Sequence, residues 1–212
     1  MSKRKFITID FLIMLFITLL IEVGLYYYAR SVDINTSGIT ITFVVNIYIM
    51  MSLLVMFRWN KLGILFNLIT TIVYLLISLV IDPVKEYEFI EIIKTSIVYL
   101  SGVLFFGLNI FWFKIVDKKR ITKSIGLTLL YVLSGFLLVI IGRTVAATIE
   151  LIIDRATFNV LGIFLVHFSN ELLNLVLGLV AFMVLRNQKE IMLDMNDYLL
   201  QLAEAQAKVN QK

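Results

Sequence analysis

The chain has 212 residues, of which 60% are hydrophobic and 16% charged, and its mean hydropathy is +0.96. A soluble domain is nearer half apolar and a quarter charged, so a water-soluble globule and a disordered chain are both excluded, leaving a polytopic membrane protein built as one small bundle. The net charge of +4 does not point to nucleic acid, because the basic residues fall where they set membrane orientation, and with no cysteine and one histidine there is no disulfide, thiolate site or two-histidine zinc site.

Six apolar stretches are each long enough to cross a hydrocarbon core, which takes about 20 residues. They run over residues 6–29, 39–57, 62–81, 95–113, 124–149 and 157–185. In lipid the backbone must bond to itself, so all six are predicted to be helices, giving an all-α six-helix bundle over 1–186. The first follows Lys3, Arg4 and Lys5 and ends on Tyr26, Tyr27 and Tyr28. It is too long for a signal-peptide core and no small-residue cleavage site follows, so it reads as an uncleaved span. It carries Glu22 in its far half. The second carries Asn46 and Tyr48 in its corresponding half and ends in the tight turn Arg58-Trp59-Asn60-Lys61-Leu62-Gly63. Loops are expected over 30–38, 82–94, 114–123 and 150–156.

The fifth span holds Arg143 and a close-packing pair, Gly142-x-x-x-Ala146. The sixth holds His167, Asn170, Glu171 and Asn174, spaced i, i+3, i+4, i+7 and therefore predicted to share one face pointing into the bundle. Beyond residue 186 the composition turns polar. Ile191, Met195, Tyr198, Leu202, Ala205 and Val209 form a heptad seam, predicting a cytoplasmic amphipathic helix that docks through Tyr198 and Leu202 onto a partner, the membrane or its own bundle.

Lysine and arginine fix the orientation. With the N-terminus inside, fourteen of the nineteen fall on the cytoplasmic side and four outside, namely Arg30, Lys85, Lys94 and Arg155, with Arg143 inside a span. Both termini are therefore expected in the cytoplasm and the protein in the cell membrane. Trp59, Trp112 and Phe113 form the inner aromatic belt.

An ionisable group inside a span is a functional candidate by default. Glu22, Asn46, Arg143, His167, Asn170, Glu171 and Asn174 have two readings at this point. In one they border an outward-facing pocket of about a few hundred Å³, the size of small-ligand sites. In the other Arg143 forms a structural ion pair with Glu171 or Glu22, and the amides and imidazole are interhelical glue. No catalytic set is evident: Ser134-Gly135 and His167 lie at similar depth, but the first glycine of a GxSG pattern is replaced by Val132. There is no phosphate-binding P-loop and no cofactor motif.

This pattern resembles the S component of energy-coupling factor (ECF) transporters, the small substrate-binding membrane subunit of those importers. The resemblance rests on six helices with both ends cytoplasmic in about 200 residues, on the Arg58-Trp59-x-Lys61-x-Gly63 turn, and on the following segment 67–78 with its Tyr74. It implies capture of a small vitamin-like molecule from outside. Delivery would then involve a transmembrane coupling subunit and ATPase subunits. One feature departs from it: the alanines spaced by three that many S components carry in the first helix are absent, Ala29 being the sole alanine there. The other reading of the chain is a non-enzymatic membrane interaction or regulatory protein acting through its cytoplasmic tail.

Overall fold

The computed structural model describes residues 3–31, 46–81, 89–188 and 191–209. Every regular element among them is helical: α1 (Lys3–Ser31), α2 (Tyr48–Trp59), α3 (Leu62–Ile81), α4 (Phe89–Phe106), a 3₁₀ turn (Gly107–Phe111), α5 (Trp112–Ile115), α6 (Lys118–Lys123), α7 (Ile125–Ile153), α8 (Val160–Leu185) and α9 (Met195–Val209). Four stretches are long and apolar enough to cross a membrane: Arg4–Tyr27, Phe89–Ile115, Ile125–Ile153 and Val160–Leu185. Tyr48–Trp59 and Leu62–Ile77 are shorter apolar helices. The protein is therefore membrane-embedded. The surface agrees, since Leu12, Ile13, Phe16 and Leu20 of α1 are more than half exposed, an outlay no aqueous surface tolerates as a continuous stripe.

Several boundaries differ from the sequence reading. The start of the second apolar stretch, 39–45, the loop 32–38 and the loop residues 82–88 lie outside the described residues. The fourth helix begins at Phe89, inside the loop expected over 82–94, and α7 runs on to Ile153 through the loop expected from 150. Both extensions have one cause. Lys94 of α4 ion-pairs with Glu150, at 3.7 Å, and with Asp154, so the two helices carry their charges past the apolar limit as neighbours. The basic loop over 114–123 contains α6, whose first turn is capped by the Asp117 carboxylate accepting from the Lys119 amide at 2.9 Å.

In a bilayer, helices gain little by leaving lipid, so close packing and polar contacts must hold the bundle. The core is built around α2, where Tyr48, Ile49, Leu53, Met56 and Phe57 are almost fully buried against Phe66, Phe106, Tyr131, Phe136 and Phe182. The α2–α3 turn reverses on Asn60 at φ 53° and closes so tightly that a Cβ on Gly63 would collide with the backbone of Met56. The predicted small-residue pair works at the α4–α7 crossing. A Cβ on Gly142 would lie 2.6 Å from the Ser101 carbonyl and 3.0 Å from Gly102 Cα, and Ser101 Oγ donates to the Gly142 carbonyl at 2.7 Å.

One end of the bundle gathers the basic segments. Arg58 donates to the Asp10 carboxylate through Nη2 at 3.0 Å and to the Ile191 carbonyl through Nη1 at 2.9 Å, while Trp59 Nε1 donates to the same Asp10 at 2.6 Å. Lys118 pairs with Asp194 at 2.8 Å. The tail thus folds back, through Met195 of its predicted seam but not through Tyr198 or Leu202. Met192 and Met195 are buried and Leu199 is half-buried against the core, whereas Tyr198 and Leu202 stay 41% and 39% exposed. The stretch before Met195 is held by Arg58 and Lys118, and this rotates a different stripe of α9 inward.

Candidate functional site

At the opposite end, α2 begins without a cap of its own. Its N-terminal neighbour Ile47 has no side-chain acceptor, and the first amides of a helix need one. Glu22 of α1 supplies it: one carboxylate oxygen accepts from the Ile47 amide at 2.6 Å and from the Tyr48 amide at 2.7 Å. A carboxylate at a helix N-terminus also meets the positive end of the helix dipole. The adjacent Asn46 amide donates to Asn174 Oδ1 of α8 at 2.9 Å.

From Asn174 the network continues. Its Nδ2 donates to Glu171 Oε2 at 2.9 Å, and the other Glu171 oxygen accepts from Arg143 Nη1 of α7 at 2.6 Å. Arg143 Nη2 donates to the Tyr48 hydroxyl, returning the network to α2. The guanidinium carbon sits 4.4 Å from the centroid of the Tyr99 ring of α4, a cation–π contact that desolvation strengthens. Tyr99 comes within reach because the α4–α7 crossing at Gly102 and Gly142 is so close. Tyr74 stands 6.0 Å from Tyr99 and 5.7 Å from Tyr48, and Tyr26 meets Tyr74 edge-on at 6.0 Å.

Five of the seven residues singled out in the sequence, Glu22, Asn46, Arg143, Glu171 and Asn174, are thus brought into one buried polar cluster. Arg143, Glu171 and Asn174 are 4%, 3% and 2% exposed. The other two are not brought in. Asn170 is exposed, because it precedes Glu171 by a turn of about 100° around the helix, and His167 is half-buried one turn away. No hydrogen bond to either is found among the described residues. The choice between ion-pair partners is made: Arg143 contacts Glu171, while Glu22 is spent on α2.

The cluster is not saturated. Among the described residues, Arg143 Nε and Asn46 Oδ1 are buried without a partner, one open donor and one open acceptor in one network. Two grooves are formed by described residues elsewhere in the bundle. A groove of 770 Å³ lies at the basic end, and one of 330 Å³ runs between α4 and α7 past Ile97, Ser101 and Ala146. Neither has Arg143, Glu171 or Asn174 in its wall.

The sequence reading misses three contributors to the cluster and one ionisable group at the basic end. Tyr48 reads from the sequence as a polar residue, with nothing to mark it as a partner of Arg143. Tyr99 lies one helical turn before Gly102, so the glycine pair was the signal for it. Tyr74 continues a face with Asn67, Thr70 and Thr71 at helical spacing. Asp10, an ionisable group within the first span, escaped because it lies so near the basic N-terminal residues. Ser134, weighed against His167 as a dyad, instead accepts from Trp112 Nε1 at 2.7 Å and donates to Asn109 Oδ1 at 2.8 Å. No group of three or more His, Asp or Glu arranged for a metal occurs among the described residues. Comparison with protein-family models, with curated proteins and with solved structures yields no match.

Proposed function

We propose that the chain is the membrane-embedded substrate-capture subunit of an ECF-type importer, binding a small vitamin-like molecule from outside. The reading has six spans with both termini in the cytoplasm, and α2 and α3 complete the six. A transmembrane coupling subunit and ATPase subunits are its partners. The observation that carries the reading is the pair of open polar atoms, Arg143 Nε and Asn46 Oδ1, in a buried cluster faced by tyrosine rings. Burying an ion pair costs several kcal/mol per ion before its own attraction is counted, and leucine would pack the same space. Keeping the charge with a donor free is reasonable where a carboxylate or ring amide is to be recognised. Tyr99 and Tyr74 then supply faces for a flat ring, and Glu171 and Tyr48 hold the guanidinium in position.

The test is mass spectrometry of small molecules released on denaturing the purified protein. A compound released by the wild type and missing from folded Arg143→Met supports the reading. Nothing released by the wild type after growth in rich medium, with apo protein binding no vitamin pool added back, sinks it.

A second reading has its own observation. Tyr198 and Leu202 stand exposed on α9 although the tail is anchored beneath them, as in a membrane interaction or regulatory protein that offers this stripe to a partner. Aspartate at both positions would abolish partner capture there and leave ligand release untouched.

A further inference from the structure

We propose that the groove at the basic end of the bundle binds the phosphate headgroup of an anionic phospholipid. The groove lies beside the end of one membrane-spanning stretch and the segments that adjoin two others. Its wall includes Lys114 and Ile115, which close the span Phe89–Ile115, then Thr122 just before α7, and Arg186, the residue after α8. A groove at the ends of spans lies at headgroup depth. Its volume of 770 Å³ is within the range of ligand sites.

The wall holds four basic groups, Lys114, Lys118, Lys119 and Arg186, against three carboxylates, Asp117, Asp194 and Asp197, an excess of one positive charge. Lys118 is taken by Asp194 at 2.8 Å. The Asp117 carboxylate is engaged by the Lys119 amide. Asp197 lies in the field of Lys118. Lys114, Lys119 and Arg186 have no carboxylate contact among the described residues. Lys114 rests over the Phe111 ring at 4.8 Å. Arg186 donates through Nη2 to the Lys123 carbonyl at 3.1 Å, but its Nη1 is buried and unpartnered. A guanidinium arm with no acceptor is open to an anion, and arginine grips phosphate in fork geometry.

The rest of the wall fits a lipid better than a free ion. Phe57, Val116 and Met192 give it an apolar part, and Ile115 at its edge is 80% exposed, a surface for the first methylenes of an acyl chain. Basic pockets between spans on the lysine-rich side are where anionic headgroups bind. A lipid seated here would tie α5 and α6 to the end of α8 and to the tail, across a junction bridged in protein by Lys118–Asp194 and Arg186–Lys123.

The experiment uses the full chain in nanodiscs of phosphatidylcholine, with and without phosphatidylglycerol, reading thermal midpoint and lipids retained in native mass spectrometry. Phosphatidylglycerol is expected to raise the midpoint and to be retained. Arg186→Gln and Lys119→Gln should each weaken its retention about fivefold, the equivalent of about 1 kcal/mol per basic residue at an anionic surface. Lys119 is exposed, so its variant folds even if Arg186→Gln does not. Lys61→Gln, which removes a charge outside the groove wall, should change nothing. Equal losses from Lys61→Gln and Lys119→Gln would reduce the effect to general surface attraction and overturn the proposal. So would a wild-type response in the Lys119 variant, or a rise of the same size from inorganic phosphate in detergent, which would make the site one for a free anion.

Discussion

The carboxylate of Glu22 accepts from the amide of Tyr48 at 2.7 Å, so the first helix caps the second, and the same tyrosine's hydroxyl then receives Arg143. One residue therefore couples a helix cap to the buried guanidinium. Losing the cap costs α2 its register as well as a hydrogen bond. Glu22→Ala is expected to lower stability by about 1–2 kcal/mol, the size of a lost N-cap, and Glu22→Gln by less, because the amide oxygen still accepts. Thermal unfolding in detergent measures both, and an unchanged midpoint for Glu22→Ala would mean that α2 is capped otherwise.

Arg143 and Glu171 make a second pair with an asymmetric response. Removing one partner leaves an uncompensated buried charge, costing about 3–5 kcal/mol, whereas replacing both by apolar residues is often neutral. Arg143→Met and Glu171→Leu should each depress the midpoint, and the double variant should regain most of it. Ligand release separates roles that stability cannot: if the double variant is stable and still releases the wild-type compound, the pair serves structure alone.

The α4–α7 crossing makes opposite predictions for two glycines. Gly142→Ala places a methyl 2.6 Å from the Ser101 carbonyl and should cost about 1–3 kcal/mol as the helices part. Because Tyr99 rides on the same crossing, the cation–π contact should loosen with it. Gly24 has nothing within 4 Å of its missing Cβ, so Gly24→Ala should gain up to about 1 kcal/mol from helix propensity. Similar midpoints for the two would contradict the packing described.

Lys118 gives the tail a pH dependence. Burial holds its ammonium below the ordinary 10.5, and the Asp194 carboxylate works against that shift. A base with a lowered pKa binds fewer protons folded than unfolded between the lowered value and 10.5, so stability rises with pH through that window. The wild-type midpoint should climb as pH approaches about 10, and Lys118→Met should flatten the climb. Asp194→Leu, which strands the ammonium, should be the costlier change, about 3 kcal/mol. A midpoint that falls over this window would reverse the assignment.

Orientation is testable without background, since the chain has no cysteine. A single cysteine at Ala156, which is exposed, should react with an impermeant maleimide on intact cells. One at Lys119 should react only after permeabilisation. The opposite pattern would invert the positive-inside reading.

What was legible in the sequence followed from periodicity and chemistry that act locally. The sixth apolar stretch ends where α8 ends, because Leu185 precedes Arg186. The membership of Arg143, Glu171 and Asn174 in one cluster was legible because polar groups in lipid have few places to go. What required coordinates was pairing at a distance. Nothing local tells Glu22 to cap α2 instead of neutralising Arg143. Asn170 looked equivalent to Asn174, yet a helix face described by spacing is wider than the line along which two helices touch. The tail seam held only at Met195 for a similar reason: the Arg58–Ile191 and Lys118–Asp194 contacts, not the heptad, decide which stripe of α9 turns inward.

The polar cluster also carries an order of assembly. Glu22 reaches Tyr48 across 26 residues and Arg143 reaches Glu171 across 28, whereas Arg143 and Tyr48 are 95 apart and Asn46 and Asn174 are 128 apart. A chain emerging from the ribosome threads in N-terminal helices first. Each costly carboxylate therefore meets its partner within its own helical hairpin: α1 enters with α2 already tied to its glutamate, and α7 and α8 enter as a neutralised couple. Joining the two halves then falls to the uncharged amides and the tyrosine hydroxyl, with Glu22 already held on the backbone amides of α2.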